Sequence, residues 1–513
     1  MEARKYQLKC IEDTMRGFES YQRQVVVLPT GSGKTCIFSW TAARFAPQKT
    51  LVLAHREELI DQALRKFHET TGVFAQKEKA EFKASRSAPV VIASIQSMIK
   101  RLAKWPSNHF GLVVCDEAHH SVSNSWQQVL THFSPAKILG VTATPHRTDK
   151  KQLAHFYENI PFQISMLELM HLGFLVPKIT VKNEPLKIDV SNVKTGYDAD
   201  SACNDFSKSG LADALAPHLK AVAESIKHHA MFRRTLVFVP LIATSVKFVE
   251  ICREIGINAR HVDGESEDRK EILRDFAAGE FDLLSNAMLL TEGYDDPGID
   301  CIVILRLTKS GSLYRQMIGR GTRIHPGKRD LLLLDYLWQT GKHFHVGPYS
   351  LFCDTEEAAQ EAKLIAESKY GQEDLDLENL ATEAQVSREE KLLAELEKKS
   401  RKQGRTIDAA EFCMSSNRFA DADYEPVMAH ELRPVSDSQK DVLQKYAIDI
   451  ESVKGKEHAD KVLDLIGARM KAGLASPKQL RCLIQMRYPG NPHLATMQQA
   501  NDFLERRFSS NRK

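Results

Sequence analysis

Short runs of β-branched and aliphatic residues alternate with amphipathic stretches over about residues 6–165, and again over about 210–345. In the first region the strand candidates are Val25–Leu28, Thr50–Leu53, Val90–Ala93, Leu112–Cys115 and Ile138–Val141. In the second they are Thr235–Val239, Ala259–Val262, Leu283–Asn286 and Cys301–Leu305. Alternation of strand with helix predicts parallel sheets covered on both faces, so the fold class is α/β with two tandem lobes. Ligands of such sheets bind beyond the carboxyl ends of the strands, which directs attention to the loops that follow each run. Residues 166–209, with Lys182-Asn183-Glu184-Pro185, are polar and poorly periodic and read as a linker with an excursion.

The loop after the first strand is the most informative. Leu28-Pro29-Thr30-Gly31-Ser32-Gly33-Lys34-Thr35 leads into the apolar run Cys36-Ile37-Phe38, which opens a helix. Gly31 and Gly33 let the backbone curl its N–H groups toward phosphate oxygens, backed by the helix N-terminus. Lys34 is placed to reach the β- and γ-phosphates of ATP, and the Thr35 hydroxyl to hold Mg²⁺. Leu28 stands where such loops usually begin with glycine. About 80 residues further on, the run Gly111–Cys115 ends in Asp116-Glu117. Asp116 is placed as a second Mg²⁺ holder; Glu117, also near the metal, would orient and deprotonate the attacking water.

Asp116-Glu117-Ala118-His119 is a DEAH box, and the chain resembles the superfamily 2 helicases and translocases, whose motifs appear in order over about residues 4–325. Arg4-Lys5-Tyr6-Gln7 resembles the adenine-reading element, which implies that Gln7 pairs with the base. Leu53–Leu59, with Arg56, resembles the first nucleic-acid motif, and Ile92–Ser97, with Gln96 and Ser97, the second. Val141-Thr142-Ala143-Thr144-Pro145 resembles the element that couples hydrolysis to strand movement; the resemblance gives His119, Thr142, Thr144 and Gln316 this coupling role. Leu290–Pro297 resembles the fifth motif, implying nucleic-acid contact by Thr291 and nucleotide contact by Gly293 and Asp295. Gln316–Arg323 resembles the sixth. Arg320 and Arg323, three apart and expected on the first turn of a helix, would reach across a cleft between the lobes to the γ-phosphate.

The motif wording narrows the branch. Ala54-His55-Arg56-Glu57-Glu58-Leu59 and Gln316-Met317-Ile318-Gly319-Arg320 differ from the DEAD-type RNA forms. They are similar to the DNA-acting branch of type III restriction motors, RadD-like repair helicases and XPB-like translocases. The chain has neither a PD-(D/E)xK nuclease arrangement nor a C-x-x-C pair.

Composition adds boundaries. With 513 residues, 42% hydrophobic and 27% charged, the chain accommodates about three domains and is neither disordered nor membranous in character. A net charge of +3 does not by itself require nucleic acid. Nine scattered cysteines without metal-ligand spacing predict reduced thiols and no structural zinc. No apolar run approaches the ~20 residues of a membrane span, so a cytoplasmic location is expected.

Beyond residue 346 the character changes. Glu356–Glu397 holds thirteen acidic and four basic residues, and Lys398–Arg405 adds five positive charges, so 346–430 reads as a charged helical linker, with contact of the basic run to a phosphate backbone as the alternative. The last part, 431–513, is a duplicated helical hairpin: Ser436 with Gln439, and forty positions later Ser476 with Gln479, form N-terminal capping boxes. Met470–Lys513 carries eight basic and two acidic residues, and the repeat reads either as a packing module or as a DNA-binding one. The expectation is an ATP-dependent DNA helicase or translocase that uses Mg²⁺, acts on single-stranded or duplex DNA rather than RNA, and has protein partners that cannot be named. A duplex remodeller without strand separation, an RNA helicase and an ATP-switched binding subunit are the alternatives.

Overall fold

The computed structural model describes the chain outside residues 1, 55–56, 144–152, 154–155, 183–185, 187, 199–202, 265, 288–289, 291–293, 338–345, 354–355, 367, 369–375, 401–406, 417, 423, 425, 427–430, 432 and 511–513. It divides into two compact units, residues 1–384 and 385–513.

The first unit contains two six-stranded, wholly parallel sheets. One comprises β1 (Arg23–Val27), β2 (Thr50–Ala54), β3 (Gln76–Glu78), β4 (Val90–Ser94), β5 (Leu112–Asp116) and β6 (Lys137–Thr142), in the order β1-β6-β5-β2-β4-β3. Its register sets Val27 beside Thr142 and Asp116 beside Val141, so the carboxyl ends of β1, β6 and β5 finish flush. The loops after these strands therefore open at one place.

The second sheet contains β7 (Ile179–Lys182), β10 (Thr235–Phe238), β11 (Ala259–Val262), β12 (Leu283–Asn286), β13 (Cys301–Ile304) and β14 (Leu331–Asp335), in the order β11-β12-β10-β13-β14-β7. Between β7 and β10, β8 (Thr195–Asp198) and β9 (Cys203–Phe206) form an antiparallel hairpin. Side chains of the parallel strands alternate between two cores. Leu236, Phe238, Ile302, Ile304, Leu331 and Leu333 join a cluster continuous with the first lobe. Val237, Val303, Leu332 and Leu334 face the other way, into a cluster with Leu215, Val222 and Phe248. Being buried on both faces explains why these strands are uniformly apolar rather than alternating.

Three segments differ from the sequence reading. Ile179–Lys182, within the expected linker 166–209, completes the edge of the second sheet beside β14. Its four residues are too few for a periodic signal, and the partner strand lies about 150 positions away. Leu331–Asp335 was not singled out as a strand although its apolar run is clear. The stretch 346–430, expected as a charged linker, is divided between the units. Ala359, Ala362, Leu377, Leu380 and Ala384 are buried in the first unit's core, whereas Ile407, Ala409, Phe412, Cys413 and Ala422 are buried with Leu443, Val462 and Ile466 in the second. Counting charge hid these small apolar faces.

In the second unit, both expected capping boxes form: Ser436 accepts from Gln439 N–H and Ser476 from Gln479 N–H, and each glutamine reaches back to its serine's N–H. The duplication extends to tertiary contacts. Gln439 also donates to Asp460 at 2.5 Å, and Gln479 donates to Asn501 at 2.7 Å, tying the first helix of each hairpin to the second. Among the described residues, no helix is long and apolar enough to cross a membrane.

Because Phe412 is fully buried in this cluster, Phe412→Ala should destabilise the second unit by about 3–5 kcal/mol. The melting of residues 1–384 should not shift. Calorimetry of the full chain measures both; a shared shift would mean that the two units unfold as one.

Candidate functional site

The site is assembled at the carboxyl ends of β1, β5 and β6. Leu28 extends β1 by one hydrogen bond, its N–H donating to Thr142 O at 2.8 Å, and its side chain is fully buried. That is why a leucine occupies the position where a glycine is usual: here the residue belongs to the core. The backbone then turns through Gly31 (φ +87°) and Gly33 (φ +78°), left-handed conformations that favour glycine. Gly33 precedes the helix Lys34–Arg44 and provides no side-chain cap, so the first-turn N–H groups face the loop and suit an anion.

Helix Lys5–Gly17 braces the loop from outside. Tyr6 Oη donates to Ser32 O at 2.5 Å, and Gln7 Nε2 donates to the same carbonyl at 3.0 Å. Gln7 Oε1 accepts from Arg4 N–H at 2.9 Å. A Cβ on Gly33 would lie 2.7 Å from Gln7 Nε2. Gln7 is thus buried against the phosphate loop with both ends of its amide bonded; Tyr6, in the same short motif, shares that support and was not singled out from sequence.

Lys34 Nζ lies 3.1 Å from Glu117 Oε1, both side chains being largely buried. Burial opposes ionisation of Glu117, but the nearby charges of Lys34 and His119 and the Lys34 hydrogen bond outweigh it and hold the carboxyl below the usual range. His119 Nδ1 stands 3.6 Å from Glu117 Oε2. Glu117 itself has φ +52°, a strained conformation for a non-glycine residue, and its N–H donates to Asp116 Oδ1 at 3.1 Å. The twist after β5 turns the two adjacent carboxylates to different tasks: one receives a backbone N–H, the other a lysine.

Four buried polar atoms around this point have no hydrogen-bond partner among the described residues: Ser32 Oγ, Glu117 Oε2, His119 Nδ1 and Thr142 Oγ1. Leaving such atoms unpaired is costly, so the set fits a polar ligand at the loop mouth. No group of three or more His, Cys, Asp or Glu suited to a metal occurs among the described residues. Thr35 and Asp116 alone fit a cation that keeps water and substrate oxygens as its other ligands, as Mg²⁺ does.

The sixth-motif segment faces the loop. Helix Gly311–Gly319, capped by Ser310, carries the buried Gln316. It ends at Gly319, so Arg320 and Arg323 follow a helix rather than begin one, correcting the expectation from their spacing. The helix starts nine residues earlier because Ser310 supplies the cap. A Cβ on Gly319 would sit 2.4 Å from Thr30 Cβ, and one on Gly31 would meet Leu175 at 2.9 Å and Thr322 at 3.4 Å. The two lobes touch through these glycines. Arg320 is buried and donates to Tyr294 O at 2.7 Å; Arg323 pairs with Asp295. Both arginines are therefore held by the fifth-motif loop of their own lobe.

Gln96 and Ser97 lie on the short helix Ile95–Lys100 directly after β4, with Gln96 exposed and Ser97 Oγ accepting from Ala80 N–H at 3.2 Å. Arg56, Thr144, Thr291 and Gly293 lie outside the described residues.

Comparison with known proteins agrees with this architecture. Residues 1–147 match the family described as type III restriction enzyme, res subunit, and residues 217–325 match the helicase conserved C-terminal domain. A candidate mitochondrial ATP-dependent helicase of Schizosaccharomyces pombe, irc3, is 35% identical over 360 residues, covering 66% of this chain and 57% of that protein. The candidate ATP-dependent helicase IRC3 of Saccharomyces cerevisiae is 32% identical over 362 residues, covering 65% and 51%. The chain thus spans little more than half the length of these relatives. Among solved structures, the ATP-dependent type ISP restriction-modification enzyme LlaBIII bound to DNA superposes with a TM-score of 0.54 at 16% identity, over 98% of this chain and 41% of that one; this likeness is one of fold. The chain thus carries two helicase domains in order on two parallel-sheet lobes, the arrangement of the superfamily 2 helicases, and is similar to the branch that includes restriction-enzyme motor subunits.

Proposed function

We propose that the protein is a nucleic-acid-stimulated ATPase that moves on DNA. The observation that carries this reading is the buried Lys34–Glu117 pair at the mouth of a glycine-turned loop, directly faced across the lobe contact by the segment bearing Arg320 and Arg323. The family is one of ATP-driven helicases, and the DNA bound by LlaBIII, itself a protein of this fold, favours DNA as the track.

In this reading the loop N–H groups and Lys34 bind the phosphates, and Lys34 exchanges Glu117 for phosphate oxygens. Glu117, released and kept ionised, orients and deprotonates the attacking water, with His119 as its neighbour. Mg²⁺, held by Thr35 and Asp116, would neutralise phosphate charge when bound. Arg320 and Arg323 turn from Tyr294 and Asp295 toward the γ-phosphate and stabilise charge in the transition state. Exchange of these partners makes hydrolysis contingent on how the lobes meet, and so couples it to movement of a strand held by both lobes. Arg56, Gln96, Ser97 and Thr291 are the proposed strand contacts, made to the backbone because a motor must cross every sequence. Gln7 supports the loop and leaves adenine recognition to its remaining donor and lone pair. Thr142, Thr144 and Gln316 transmit the change between the sites, with Gly293 and Asp295 near the nucleotide.

The deciding experiment is ATP turnover with single-stranded DNA, duplex DNA and RNA, beside a strand-displacement assay. Stimulation by DNA with displacement marks a helicase, and stimulation without it a duplex translocase. Equal turnover with and without any nucleic acid would refute the motor reading.

Lys34→Ala should abolish turnover and weaken ATP binding. Glu117→Gln should retain binding and lower turnover by about 10²–10⁴. Nucleotide titration beside steady-state kinetics separates these, and equal loss of binding in both variants would remove Glu117 from the role of base. Arg320→Ala and Arg323→Ala should lower kcat by about 10³ or more while changing KM little. Near-normal stimulated turnover in both would exclude them from the transition state.

A further inference from the structure

We propose that Lys328, which lies outside all the motifs described above, is a positioning residue that holds the loop bearing Arg320 and Arg323 against the fifth-motif loop. The inference rests on the role proposed for these arginines. Lys328 Nζ donates to Gly321 O at 2.5 Å, to Pro297 O at 3.4 Å and to Ile299 O. An ammonium has three hydrogens, and here three backbone carbonyls receive them. Gly321 immediately follows Arg320, while Pro297 and Ile299 immediately follow Tyr294, Asp295 and Asp296.

The result is a clamp on two sides. In front, Arg320 bonds Tyr294 O and Arg323 pairs with Asp295. Behind, one lysine ties the same two loops by their backbones. Gly321 has no room to shift inward, since a Cβ there would lie 2.4 Å from Leu331. A turn delivers Lys328 to this place: its N–H bonds His325 O at 3.1 Å, with Gly327 at φ +82°. When the arginines exchange Tyr294 and Asp295 for phosphate, the front contacts are given up and the clamp behind remains. Lys328 then keeps the loop in register while its side chains swing.

The ammonium also borders a cavity of about 360 Å³ at the amino ends of β10, β12 and β13, together with Arg233, Arg234, Asp282, Asp300 and His325. Burial pushes its pKa down to about 8; Asp300, Asp296 and Asp330 oppose that shift and Arg323 adds to it. Above about pH 8 the amine has two hydrogens for three carbonyls, and the clamp loses a contact. The sign of the linkage is useful. A folded pKa of about 8 below an ordinary lysine value means that the folded state binds fewer protons between the two, so this group raises stability with pH there. Deprotonation of Lys328 therefore does not itself unfold the protein, and a fall in turnover across that window that is absent in Lys328→Arg reports positioning.

The test uses the full chain as wild type, Lys328→Met and Lys328→Arg, with DNA-stimulated turnover from about pH 7 to about pH 9.5 and hydrogen exchange of the Gly319–Arg323 amides. Lys328→Met should lower kcat about tenfold or more with KM nearly unchanged, lack the decline that the wild type shows above about pH 8, and exchange faster at Gly321–Arg323. Lys328→Arg, charged throughout, should recover turnover and keep it at high pH. Wild-type kcat and unchanged exchange in Lys328→Met would overturn the proposal. So would a decline above pH 8 in Lys328→Arg that matches the wild type, which also serves if Lys328→Met does not fold. If the wild type has no stimulated turnover, the motor reading fails by itself, and exchange at Gly321–Arg323 still decides for or against the clamp.

Discussion

The pairing of Lys34 with Glu117 is the interaction around which this site is arranged. Each charge is largely out of water, where a lone lysine or carboxylate would be strongly disfavoured, so each requires the other or a substitute for it. A phosphate is such a substitute for the carboxylate. The pair therefore holds Glu117 ionised and both side chains in place, and it joins two strand ends that are far apart in sequence. The left-handed turn at Glu117 and the two left-handed glycines of the loop are the backbone conditions that allow the side chains to meet.

The same arrangement recurs on the facing lobe. Arg320 bonds Tyr294 O and Arg323 pairs with Asp295, so each arginine, like Lys34, already has a partner. The proposed cycle is an exchange of partners, with little net change in the number of contacts. Exchange of this kind keeps the two arrangements close in energy, and a modest binding energy then suffices to select between them. The glycines at 31 and 319 have a separate task. By omitting side chains they leave room for Thr30 against Gly319 and for Leu175 and Thr322 against Gly31, so that the loop and the sixth-motif segment pack closely.

The second unit obeys a simpler logic. Two hairpins repeat the same cap and the same glutamine link between helices, and a preceding segment that is polar by charge count supplies Phe412 and Cys413 to its core.

Much of the fold was legible because its local chemistry is stringent. A buried parallel strand must be apolar on both faces, a phosphate loop needs glycines at its turns, and a capping box has a fixed spacing; β1, β5, the loop at Gly31–Thr35 and the caps at Ser436 and Ser476 all follow. The sequence by itself therefore determined the α/β lobes, their order and the residue types at the cleft. What it left open depends on partners distant in the chain. The four residues of β7 become a strand only beside β14. Arg320 and Arg323 seemed to begin a helix because spacing says which residues share a face but not where Ser310 has already started the turn. Leu28 seemed a defect in the loop until its side chain was seen to fill the core. Gln7 has the chemistry to read a base, yet Ser32 O and the N–H of Arg4 occupy its amide. Lys328 has no motif at all: its three carbonyls come from two loops, and only their tertiary approach makes them a binding site for one ammonium.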